Sequence, residues 1–518
     1  MTEGNALPEA AAVGPAGGTA IEMAVRPTRG VILAGGQGLR ALPHSRLRNK
    51  CLFEVHGRSL IERQIDILRD QLGLRDLLIV VGHLKEEVRR ALGSGERLGV
   101  TIQYPEVRRP EAGPACGLLE ARALLTEPFV VFLGDEFHLE SHHARLLDYL
   151  PRRPEVLLTY TAVLDPWQIH ANFSIEVDGE GHVLAAREKP ERLVNNLCGC
   201  GTLYLTPWAM DRLAEAEPSA RTGRVELYEA AAGLAAEGKG YAVDLADAGY
   251  CNVNTLSDLE RARFRYRSRR FSRFTVSVAL PAWEEAESIG HVVRDFLAQP
   301  GVVEVLVADN ESADGTAERA REAGARVLAG RYAGYGDALR AALNAATGDI
   351  LVACEADYTF RAADLPKLLE YLKDADAALG TRTCRPMIAP GAQMRPLHRL
   401  ANVALAKYLE ALWWPRGGRF TDVGCTYRAL WKETWGEIRE RLHGRGADFC
   451  PEMMIELIRA GKKCIEVPVG YHRRYGGVSR HGGRWLSLAR TAWRMWRRIT
   501  GRRLRTWLES RSEPPRAI

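Results

Sequence analysis

The stretch RGVILAGGQGLRALPHSRLRNKCLFEV, residues 29–55, decides the fold expected for the first half of the chain. Its apolar run Val31–Ala34 predicts an opening strand, which breaks at once into the glycine turn Gly35–Gly38. Glycines at such a turn let backbone N–H groups approach phosphate oxygens closely. Arg40 and Lys50 follow and add positive charge along the same stretch. The pattern favours an α/β domain with a phosphate-binding turn after its first strand.

Three interpretations of this glycine turn compete. A dinucleotide site requires G-x-G-x-x-G with an acid about 20 residues further on, and Ala41 stands at the third glycine position. A plain structural turn would account for the glycines alone. A triphosphate site also accounts for Arg40 and Lys50, since nucleotidyl transfer must stabilise negative charge as pyrophosphate leaves. Asp135, at the end of FVVFLGD, is then the expected ligand of Mg²⁺, because hard oxygen anions suit that ion.

Length and composition predict a globular protein of more than one domain. The 518 residues are too many for one hydrophobic core, and the apolar content of 46% and charged content of 26% are ordinary. In both halves short apolar runs alternate with helical patterns, which predicts α/β domains with largely parallel sheets. We expect a flexible Ala/Gly/Pro-rich leader at 1–28, domains at 29–265 and 275–482, a basic linker at 266–274, and a basic helix and tail at 483–518.

Charge, cysteines and hydropathy narrow the class of protein. The net charge of +6 is modest for this length and does not indicate a nucleic-acid partner. The 10 cysteines are scattered singly apart from Cys198 and Cys200, and residues 1–28 carry no signal-peptide pattern, so we expect reduced thiols in the cytoplasm. The sequence contains no run of 18 apolar residues, so no transmembrane segment is expected.

The second half places acidic side chains after successive predicted strands. The carboxyl ends of parallel strands meet at the edge where open α/β sheets bind ligands. Converging carboxylates repel one another unless cations or hydrogen-bond donors separate them, and a nucleotide with a divalent metal supplies both. Thr275–Pro281 is followed by Glu284 and Glu285, Val303–Asp309 is followed by Asp314, and Asp349–Asp357 contains Glu355 and Asp357.

Over residues 29–265 the sequence resembles the sugar-phosphate nucleotidyltransferases. The opening stretch resembles the signature G-G-x-G-x-R followed by P-K-x-L of that family, and FLGDEF resembles its metal-binding G-D segment. Later, REKPE (187–191) resembles its E-K-P segment, and YCNVNTLSDLERA resembles its closing W-x-D-x-G-T-P-E-D-L. The resemblance implies that a sugar-1-phosphate, or a polyol phosphate, attacks the α-phosphorus of an NTP in line. Four motifs in the same order make this resemblance specific.

The motif positions imply roles for individual residues of the first domain. Asn49 departs from the family pattern by replacing the proline before the lysine, and Asn252 replaces the second metal aspartate by a weaker, neutral ligand. The matching positions assign Gly35, Gly36, Gly38, Arg40 and Lys50 to the triphosphate, Asp135 and Asn252 to Mg²⁺ (or Mn²⁺), and Glu188 and Lys189 to the sugar phosphate.

Over residues 275–482 the sequence resembles family 2 glycosyltransferases of the GT-A fold, and among them the dolichyl- or polyprenyl-phosphate sugar synthases. The segments that carry the resemblance are PAWEEAESI, VADNESADGT, GYGDALRAAL, CEAD, DVGCTYRAL and YHRRYGGVSR. The resemblance implies transfer of a glycosyl group from a nucleotide sugar to a polyprenyl phosphate. Together the two resemblances imply two tandem GT-A-like domains, each a Rossmann-type three-layer α/β fold.

The second set of motifs also implies residue roles. Glu355 stands for the first aspartate of the metal pair, Asn310 for the second aspartate of D-D-G, and Tyr335 for a common lysine. Asp448 would be the general base if the acceptor were a hydroxyl, whereas a phosphate acceptor needs none and leaves Asp448 structural. The matching positions assign Pro281, Glu285 and Asp309 to the nucleoside, Glu355 and Asp357 to the metal, and Arg382, Arg474, Ser479 and Arg480 to phosphates.

Two interpretations of the whole chain follow. The first is a bifunctional enzyme that makes a nucleotide sugar and transfers its glycosyl group. The alternative is a glycosyltransferase whose first domain senses nucleotides without catalysis, as the neutral Asn252 would allow.

The C-terminal stretch GRWLSLARTAWRMWRRITGRRLRTWLESR holds the excess positive charge. Two interpretations stay open. The stretch is either a helix that lies on the inner face of an anionic membrane or a helix that packs its tryptophan face on its own domain. The predicted apolar face consists of Trp485, Ala489, Ala492, Trp496 and Ile499, and the arginines around it are Arg490, Arg494, Arg497, Arg498, Arg502, Arg503 and Arg505.

Overall fold

A computed structural model describes residues 25–38, 48–247, 249–394, 396–413, 418–476 and 485–512. The chain divides into two compact units, Met1–Tyr266 and Arg267–Ile518. Three of the predicted site residues, Arg40, Ser479 and Arg480, lie outside the described residues, as does the leader up to residue 24.

The first unit is built on one main sheet, and continuous apolar runs such as FVVFL form its central strands, as expected where helices cover both faces. Its strands are β1 (Arg29–Ala34), β2 (Glu54–Val55), β3 (Arg58–Ser59), β4 (Asp76–Val81), β5 (Thr101–Gln103), β6 (Phe129–Leu133), β7 (Glu136–Phe137), β8 (Val156–Ala162), β9 (Phe173–Val177), β10 (Val183–Glu188), β11 (Leu197–Leu205), β12 (Gly240–Asp244) and β13 (Cys251–Asn252).

The main sheet of the first unit is mixed. Its order is β10-β9-β11-β6-β1-β4-β5, with β8 pairing both β11 and β12. The strands β6, β1, β4 and β5 are parallel, as predicted, whereas β11 runs antiparallel to β6 and β8. The expectation of a largely parallel sheet is therefore wrong for the part after β6, where short connections such as the turn between β9 and β10 permit antiparallel pairing.

Helices cover both faces of this sheet. Helix α1 begins with a capping box between Ser59 and Glu62. Alternate residues of β1 enter opposite apolar layers: Val31 packs in one layer and Ile32 in the other. The helices are α1 (Leu60–Gln71), α2 (Lys85–Leu92), α3 (Pro114–Glu120), α4 (Arg145–Asp148), α5 (Pro166–Ala171), α6 (Pro207–Ala214), α7 (Leu227–Leu234) and α8 (Leu256–Arg270), with short 3-10 turns that include Lys50–Leu52.

A two-stranded ribbon stands apart from the main sheet and positions two predicted metal ligands. Its strands β7 and β13 are antiparallel, with Glu136 opposite Asn252 and Phe137 opposite Cys251. The ribbon therefore brings Asp135, directly before β7, close to the last residue of β13.

The second unit has the same three-layer plan. Its sheet order is β16-β15-β14-β17-β19-β18-β20, and only the pairings of β19 are antiparallel among the described strands. The three-layer α/β architecture predicted for both units is confirmed. The strands are β14 (Val276–Ala282), β15 (Val302–Asp309), β16 (Arg326–Ala329), β17 (Ile350–Ala353), β18 (Ala377–Thr381), β19 (Arg428–Trp431) and β20 (Cys464–Pro468).

The helices of the second unit pack in two apolar layers on its sheet. Residues 266–274, predicted as a linker, form the end of α8 and the 3-10 turn Phe271–Arg273, and Arg267 is buried against Asp376 at 3.0 Å. The helices are α9 (Ile289–Leu297), α10 (Thr316–Glu322), α11 (Tyr335–Ala345), α12 (Leu365–Leu372), α13 (Pro396–Leu412), α14 (Lys432–Ile438), α15 (Phe449–Arg459) and α16 (Trp485–Ser512).

Helix α16 packs on the second unit through a face that differs from the predicted one. Met495 and Ile499 are buried in an apolar layer, while Trp496 is 45% exposed. Trp496 and Ile499 are only about 60° apart around the helix, as predicted, but the contact with the fold is centred on Met495, so Ile499 is buried and Trp496 is exposed. Within the described parts of the chain, no helix is both long enough and apolar enough to cross a bilayer.

Candidate active sites

The glycine turn lines a cavity of about 380 Å³ at the carboxyl ends of β1 and β6. Gly35 is required by packing, since an added Cβ would lie 2.7 Å from the Val107 side chain, whereas Gly36 opens on free space. Gly38 has a φ of +64°, in the left-handed region that favours glycine. The predicted phosphate-binding turn therefore leads into the cavity through Gly35 and Gly36.

Lys50 enters this cavity from the 3-10 turn Lys50–Leu52. Its Nζ lies 2.6 Å from Asp135 Oδ2 and 3.3 Å from Asn254 Oδ1. Asn49, which replaces the family's proline, caps the turn by accepting the N–H of Cys51 and donates its amide to the carbonyl oxygens of Ala34 and His83. Asn49 is thus a structural residue that fixes Lys50 beside β1.

A row of amides continues from the Lys50–Asp135 pair. Asn254 Nδ2 donates to Asn252 Oδ1 at 2.9 Å, and Asn252 Nδ2 donates to Asn172 Oδ1 at 3.1 Å. Asn252 lies on the cavity wall, as predicted for the second metal ligand, but both ends of its amide are engaged. One carboxylate, Asp135, and the amide oxygen of Asn252 are therefore the hard oxygen ligands at this point of the cavity.

The far end of the cavity combines cations with a pair of carboxyl groups. Glu188 and Lys189, the predicted sugar-phosphate residues, both line it. Burial first, and then the charge of Glu226, raises the pKa of Glu188 to about 7. Lys189 has a φ of 46° and donates its N–H to the Asn172 carbonyl at 2.7 Å. A polyhydroxylated phosphate would find donors, acceptors and positive charge here.

Sequence reasoning missed four residues at this end, which belong to the segment before α7 and its first turn. Arg224 supplies a second cation to the cavity that Lys189 lines, and Glu226 is the carboxyl partner of Glu188. The sequence feature that could have identified these residues is the pair Arg224 and Glu226 in SARTGRVE (219–226), a polar stretch directly before a helix. The missed cavity residues are Thr222, Arg224, Glu226 and Tyr228.

In the second unit a cavity of about 610 Å³ opens beside the carboxyl ends of β14, β15 and β17. Three residues that are not glycine adopt positive φ just after these strands: Glu284 (53°), Glu311 (54°) and Tyr358 (63°). Strained backbone of this kind clusters at ligand sites, where the surrounding structure holds it in place. The three strand ends are therefore shaped in the way expected of a binding edge.

The nucleoside residues of the prediction lie at this edge. Pro281 and Glu285 line the cavity, and Glu285 forms an ion pair with Arg474, another predicted residue. Burial raises the pKa of Glu285 although the Arg474 guanidinium acts in the opposite direction. Asp309 ends β15 and is 3% exposed, and its Oδ1 accepts no hydrogen bond from the described residues. An unpaired buried oxygen at the binding edge fits a ligand that donates hydrogen bonds.

Glu355 and Asp357 follow β17 and both line the cavity, as the metal prediction requires. Thr426 donates to Glu355 Oε1 at 2.9 Å, and the Thr359 hydroxyl donates to Asp357 Oδ1 at 2.6 Å. Burial first, and then the charge of Asp357, raises the pKa of Glu355 to about 7. Two buried carboxylates that repel each other are a site at which a divalent cation would be stabilised.

Two arginines of the second unit have internal partners. Arg382, predicted to bind phosphate, lines the cavity but forms a bidentate pair with Asp422, both contacts being 2.9 Å. Arg428 of the DVGCTYRAL segment is 2% exposed and donates to the carbonyl oxygens of Val423, Cys425 and Cys450. Asp422 and Arg428 are therefore structural, and Arg474 is more exposed than Arg382, the other predicted arginine that the structure describes.

Asp448, the predicted base for a hydroxyl acceptor, directly precedes α15 and is held by Arg498 of α16 at 2.8 Å. Its neighbours Ala447 and Cys450 line the cavity. Helices α13 and α16 and the residues before α13 supply further lining, in which the polar side chains Gln393, His398 and Asn402 accompany a set of apolar ones, here called the apolar wall. The side chains that form it include Met394, Ala401, Leu405, Ala492 and Met495.

Comparison with known proteins assigns each unit to a protein family. Residues 29–269 match the nucleotidyl transferase family, and residues 277–427 match glycosyl transferase family 2. A glucose-1-phosphate thymidylyltransferase of Streptomyces antibioticus is 30% identical over 246 residues, which cover 45% of this chain and 67% of that protein. The chain spans 56% of a second such protein, from Streptomyces griseus.

The second unit has relatives in Haloferax volcanii. Glycosyltransferase AglJ is 32% identical over 204 residues, which cover 39% of this chain and 64% of AglJ. A dolichyl-phosphate hexose transferase is also 32% identical over 204 residues, and there the match covers 84% of the relative. The chain therefore belongs to the nucleotidyl transferase family through its first unit and to glycosyl transferase family 2 through its second.

Proposed function

We propose that this protein is a bifunctional enzyme. The first unit makes a nucleotide sugar, or an NDP-polyol, from an NTP and a sugar-1-phosphate or polyol phosphate. The second unit transfers a glycosyl group from a nucleotide sugar to a polyprenyl phosphate. The observation that carries the proposal is common to both cavities: each sets a cation against carboxylates at the carboxyl edge of a sheet, Lys50 with Asp135 and Arg474 with Glu285 and Asp357.

The reaction of the first unit needs charge stabilisation more than proton transfer. A phosphate oxygen of the sugar-1-phosphate attacks the α-phosphorus, and the bond to the β-phosphate breaks as pyrophosphate leaves. Lys50 would stabilise the negative charge on the reacting phosphates, and Lys189 and Arg224, which line the same cavity, would orient the attacking phosphate. The carboxyl pair Glu188 and Glu226 would accept hydrogen bonds from the sugar hydroxyls.

Divalent metal, Mg²⁺ or Mn²⁺, would supply further charge neutralisation in both units. Asp135 with Asn252 would hold it in the first unit, and Glu355 with Asp357 in the second. Carboxylate and amide oxygens are the ligands such ions prefer. Within the parts of the chain that the structure covers, no three His, Cys, Asp or Glu side chains converge on one point. Substrate phosphates and water would supply the remaining ligands.

A phosphate acceptor suits the second unit better than a hydroxyl acceptor. Asp448, the residue best placed in the sequence to act as a base, is ion-paired with Arg498. A phosphate monoester is already anionic, so its oxygen attacks the anomeric carbon without a base while the nucleoside diphosphate leaves. The apolar side chains Met394, Leu405 and Met495 offer a surface for the isoprenoid chain of a polyprenyl phosphate.

The names of the relatives suggest substrates to test first. Glucose-1-phosphate and TTP are the first pair for the first unit, and a dolichyl or shorter polyprenyl phosphate is the first acceptor for the second unit. We place the enzyme in the cytoplasm, in contact with the inner face of the membrane that would hold such an acceptor.

Pyrophosphate release by the full chain, across a panel of NTPs and sugar-1-phosphates with Mg²⁺, tests the first activity. We expect release with one substrate pair and a loss of about 10²–10³ in kcat for Lys50→Ala, the size found when a group that stabilises transition-state charge is removed. Lys239→Ala is the matched control, because Lys239 is an exposed lysine of the same unit outside the cavity lining.

A second candidate function for the first unit is nucleotide sensing without catalysis. The neutral Asn252, engaged by Asn254 and Asn172, is the observation that favours it. Absence of pyrophosphate release together with tight NTP binding, measured by calorimetry on the same protein, would establish this alternative and exclude the first proposal.

A further inference from the structure

We infer that the outer face of α16 is a docking surface for an anionic lipid bilayer. Large apolar side chains are exposed on this face although the helix is packed on the second unit. The inference rests on the proposed function, because a polyprenyl phosphate acceptor resides in a membrane. The outer strip consists of Trp493 (53% exposed), Trp496 (45%), Leu504 (56%), Trp507 (45%) and Leu508 (58%).

The outer strip is a coherent face of the helix. At 100° per residue its members fall within an arc of about 120°. The opposite face makes the contacts with the fold: Met495 and Ile499 are buried, Arg498 pairs with Asp448, and Arg502 pairs with Glu452. The helix is therefore anchored through this inner face, and Trp493, Trp496, Leu504 and Leu508 are exposed on the opposite side.

The charge around the strip selects an anionic surface. Exposed arginines flank the apolar side chains, and the sequence from Ala489 to Leu508 contains no acidic residue. Arginine binds phosphate through paired N–H donors, and tryptophan and leucine insert at the level of lipid head groups. The flanking side chains are Arg490, Arg494, Arg497 and Arg505.

The geometry of the helix fits a position in the plane of the membrane. From Trp493 to Leu508 the strip is about 22 Å long at 1.5 Å per residue. A helix with one apolar stripe among arginines lies at the interface, since the charged remainder would be costly inside hydrocarbon. Tryptophan rings would lie among the head groups, with the arginines at the phosphates.

The docking surface adjoins the acceptor cavity. Thr491, Ala492 and Met495 on the inner side of α16 line that cavity. Helix α13 contacts α16 through a hydrogen bond between the hydroxyls of Tyr408 and Thr500 at 3.0 Å, and it lines the cavity too. Binding of the outer strip to a bilayer would thus bring the apolar wall close to the lipid in which the acceptor is dissolved.

Flotation of the full-length protein with lipid vesicles tests this inference. Vesicles of phosphatidylcholine alone are compared with vesicles that also contain phosphatidylglycerol, in the absence of substrates. We expect flotation only with the anionic vesicles and release by high salt. The triple variant Arg494→Gln, Arg497→Gln, Arg505→Gln should bind more weakly by roughly fivefold for each arginine removed.

The double variant Trp493→Ala, Trp496→Ala tests the contribution of the apolar side chains to vesicle binding. We expect its vesicle binding to fall at least tenfold. Its melting temperature should stay unchanged, because both side chains are exposed. The control variants are Trp167→Ala, an exposed tryptophan of the first unit, and Arg439→Gln, an exposed arginine of the second. Neither control should alter flotation.

The inference would be overturned by equal binding to both kinds of vesicle, by no flotation, or by identical behaviour of the strip variants and the controls. Two further results would also overturn the inference. Binding of single-stranded RNA without flotation would make the strip a nucleic-acid surface, and a dimer that the tryptophan variant abolishes would make it an interface with a second copy of the chain. Vesicle binding requires no turnover, so failure of the proposed function would show as absent pyrophosphate release or glycosyl transfer with flotation intact.

Discussion

At the scale of single residues, the two departures of the first unit from its family pattern have different consequences. Asn49 replaces a proline and caps the turn that carries Lys50, so the change preserves the position of the lysine. Asn252 replaces an acid and joins a row of amides with Asn254 and Asn172. The first substitution therefore maintains the site, whereas the second lowers the negative charge available to a metal.

Changing Asn252→Asp should strengthen metal binding. We expect the Mg²⁺ concentration for half-maximal pyrophosphate release to fall roughly tenfold, because a carboxylate is a better ligand for Mg²⁺ than an amide. The melting temperature without Mg²⁺ should fall, since Asn172 Oδ1 loses a hydrogen bond that contributes about 1 kcal/mol. Asn196→Asp, an exposed change outside the cavity, is the control; an unchanged Mg²⁺ requirement in Asn252→Asp would exclude Asn252 from the metal site.

The carboxyl pair of the first unit predicts a pH dependence of stability. The pKa of Glu188 rises from 4.5 to about 7 in the folded state because of burial and Glu226. Between these values the folded state holds more protons than the unfolded state, so stability falls as the pH rises from about 5 to about 8. Thermal unfolding of Glu188→Gln should show a melting temperature a few degrees above wild type at about pH 8 and little difference at about pH 5. A difference independent of pH would contradict this assignment.

At the scale of elements, α15 and α16 are joined by buried charge. Glu452 of α15 is fully buried and accepts hydrogen bonds from the N–H of His443 and from Arg502 of α16. Arg498 of the same helix holds Asp448. These pairs explain why α16 is anchored through Arg498, Arg502 and Ile499, while Trp493 and Trp496 stay exposed.

Removing Arg502 should destabilise the second unit. Arg502→Ala leaves the carboxylate of Glu452 buried, and breaking such a pair costs about 3 kcal/mol, near the lower end of the usual range because backbone N–H donors remain. Chemical denaturation followed by tryptophan fluorescence measures the loss. Arg505→Ala, an exposed arginine on the same helix, should change stability by less than about 0.5 kcal/mol. Equal effects of the two variants would show that the buried pair does not anchor α16.

At the scale of the whole molecule, the two units share a plan of a layered α/β fold with a cavity at the carboxyl edge of its sheet. Each cavity contains its own cation and its own carboxylates. The two proposed reactions are therefore chemically separate, and the product of the first is a chemically suitable donor for the second.

Single substitutions should separate the two activities in the full chain. Lys50→Ala should abolish pyrophosphate release but leave glycosyl transfer from an added nucleotide sugar within about twofold of wild type, because Lys50 forms its hydrogen bonds with Asp135 and Asn254 of the first unit. Asp357→Asn should have the reverse effect. Radiolabelled transfer to a polyprenyl phosphate and pyrophosphate release are measured in parallel, and loss of both activities in either variant would mean that the sites depend on each other.

Much of the fold was predictable because strands and helices are local patterns. The runs DLLIVVG and FVVFLGD predicted β4 and β6 to within two residues of their observed ends, and the acids after β14, β15 and β17 were expected at one edge. The predicted strand Asp349–Asp357 is shorter, Ile350–Ala353, because Glu355 and Asp357 turn into the cavity rather than continuing the sheet.

The sequence by itself determined which chemistry is present: a glycine turn with Lys50, and acids at successive strand ends, since residue type and spacing along the chain specify both. Only the tertiary structure decided which groups meet. It paired Arg382 with Asp422, brought Arg224 and Lys189 to the wall of one cavity, and turned Ile499 inward and Trp493 outward. Such contacts join residues far apart in the chain, and packing of the whole unit selects them, so no local pattern can specify them.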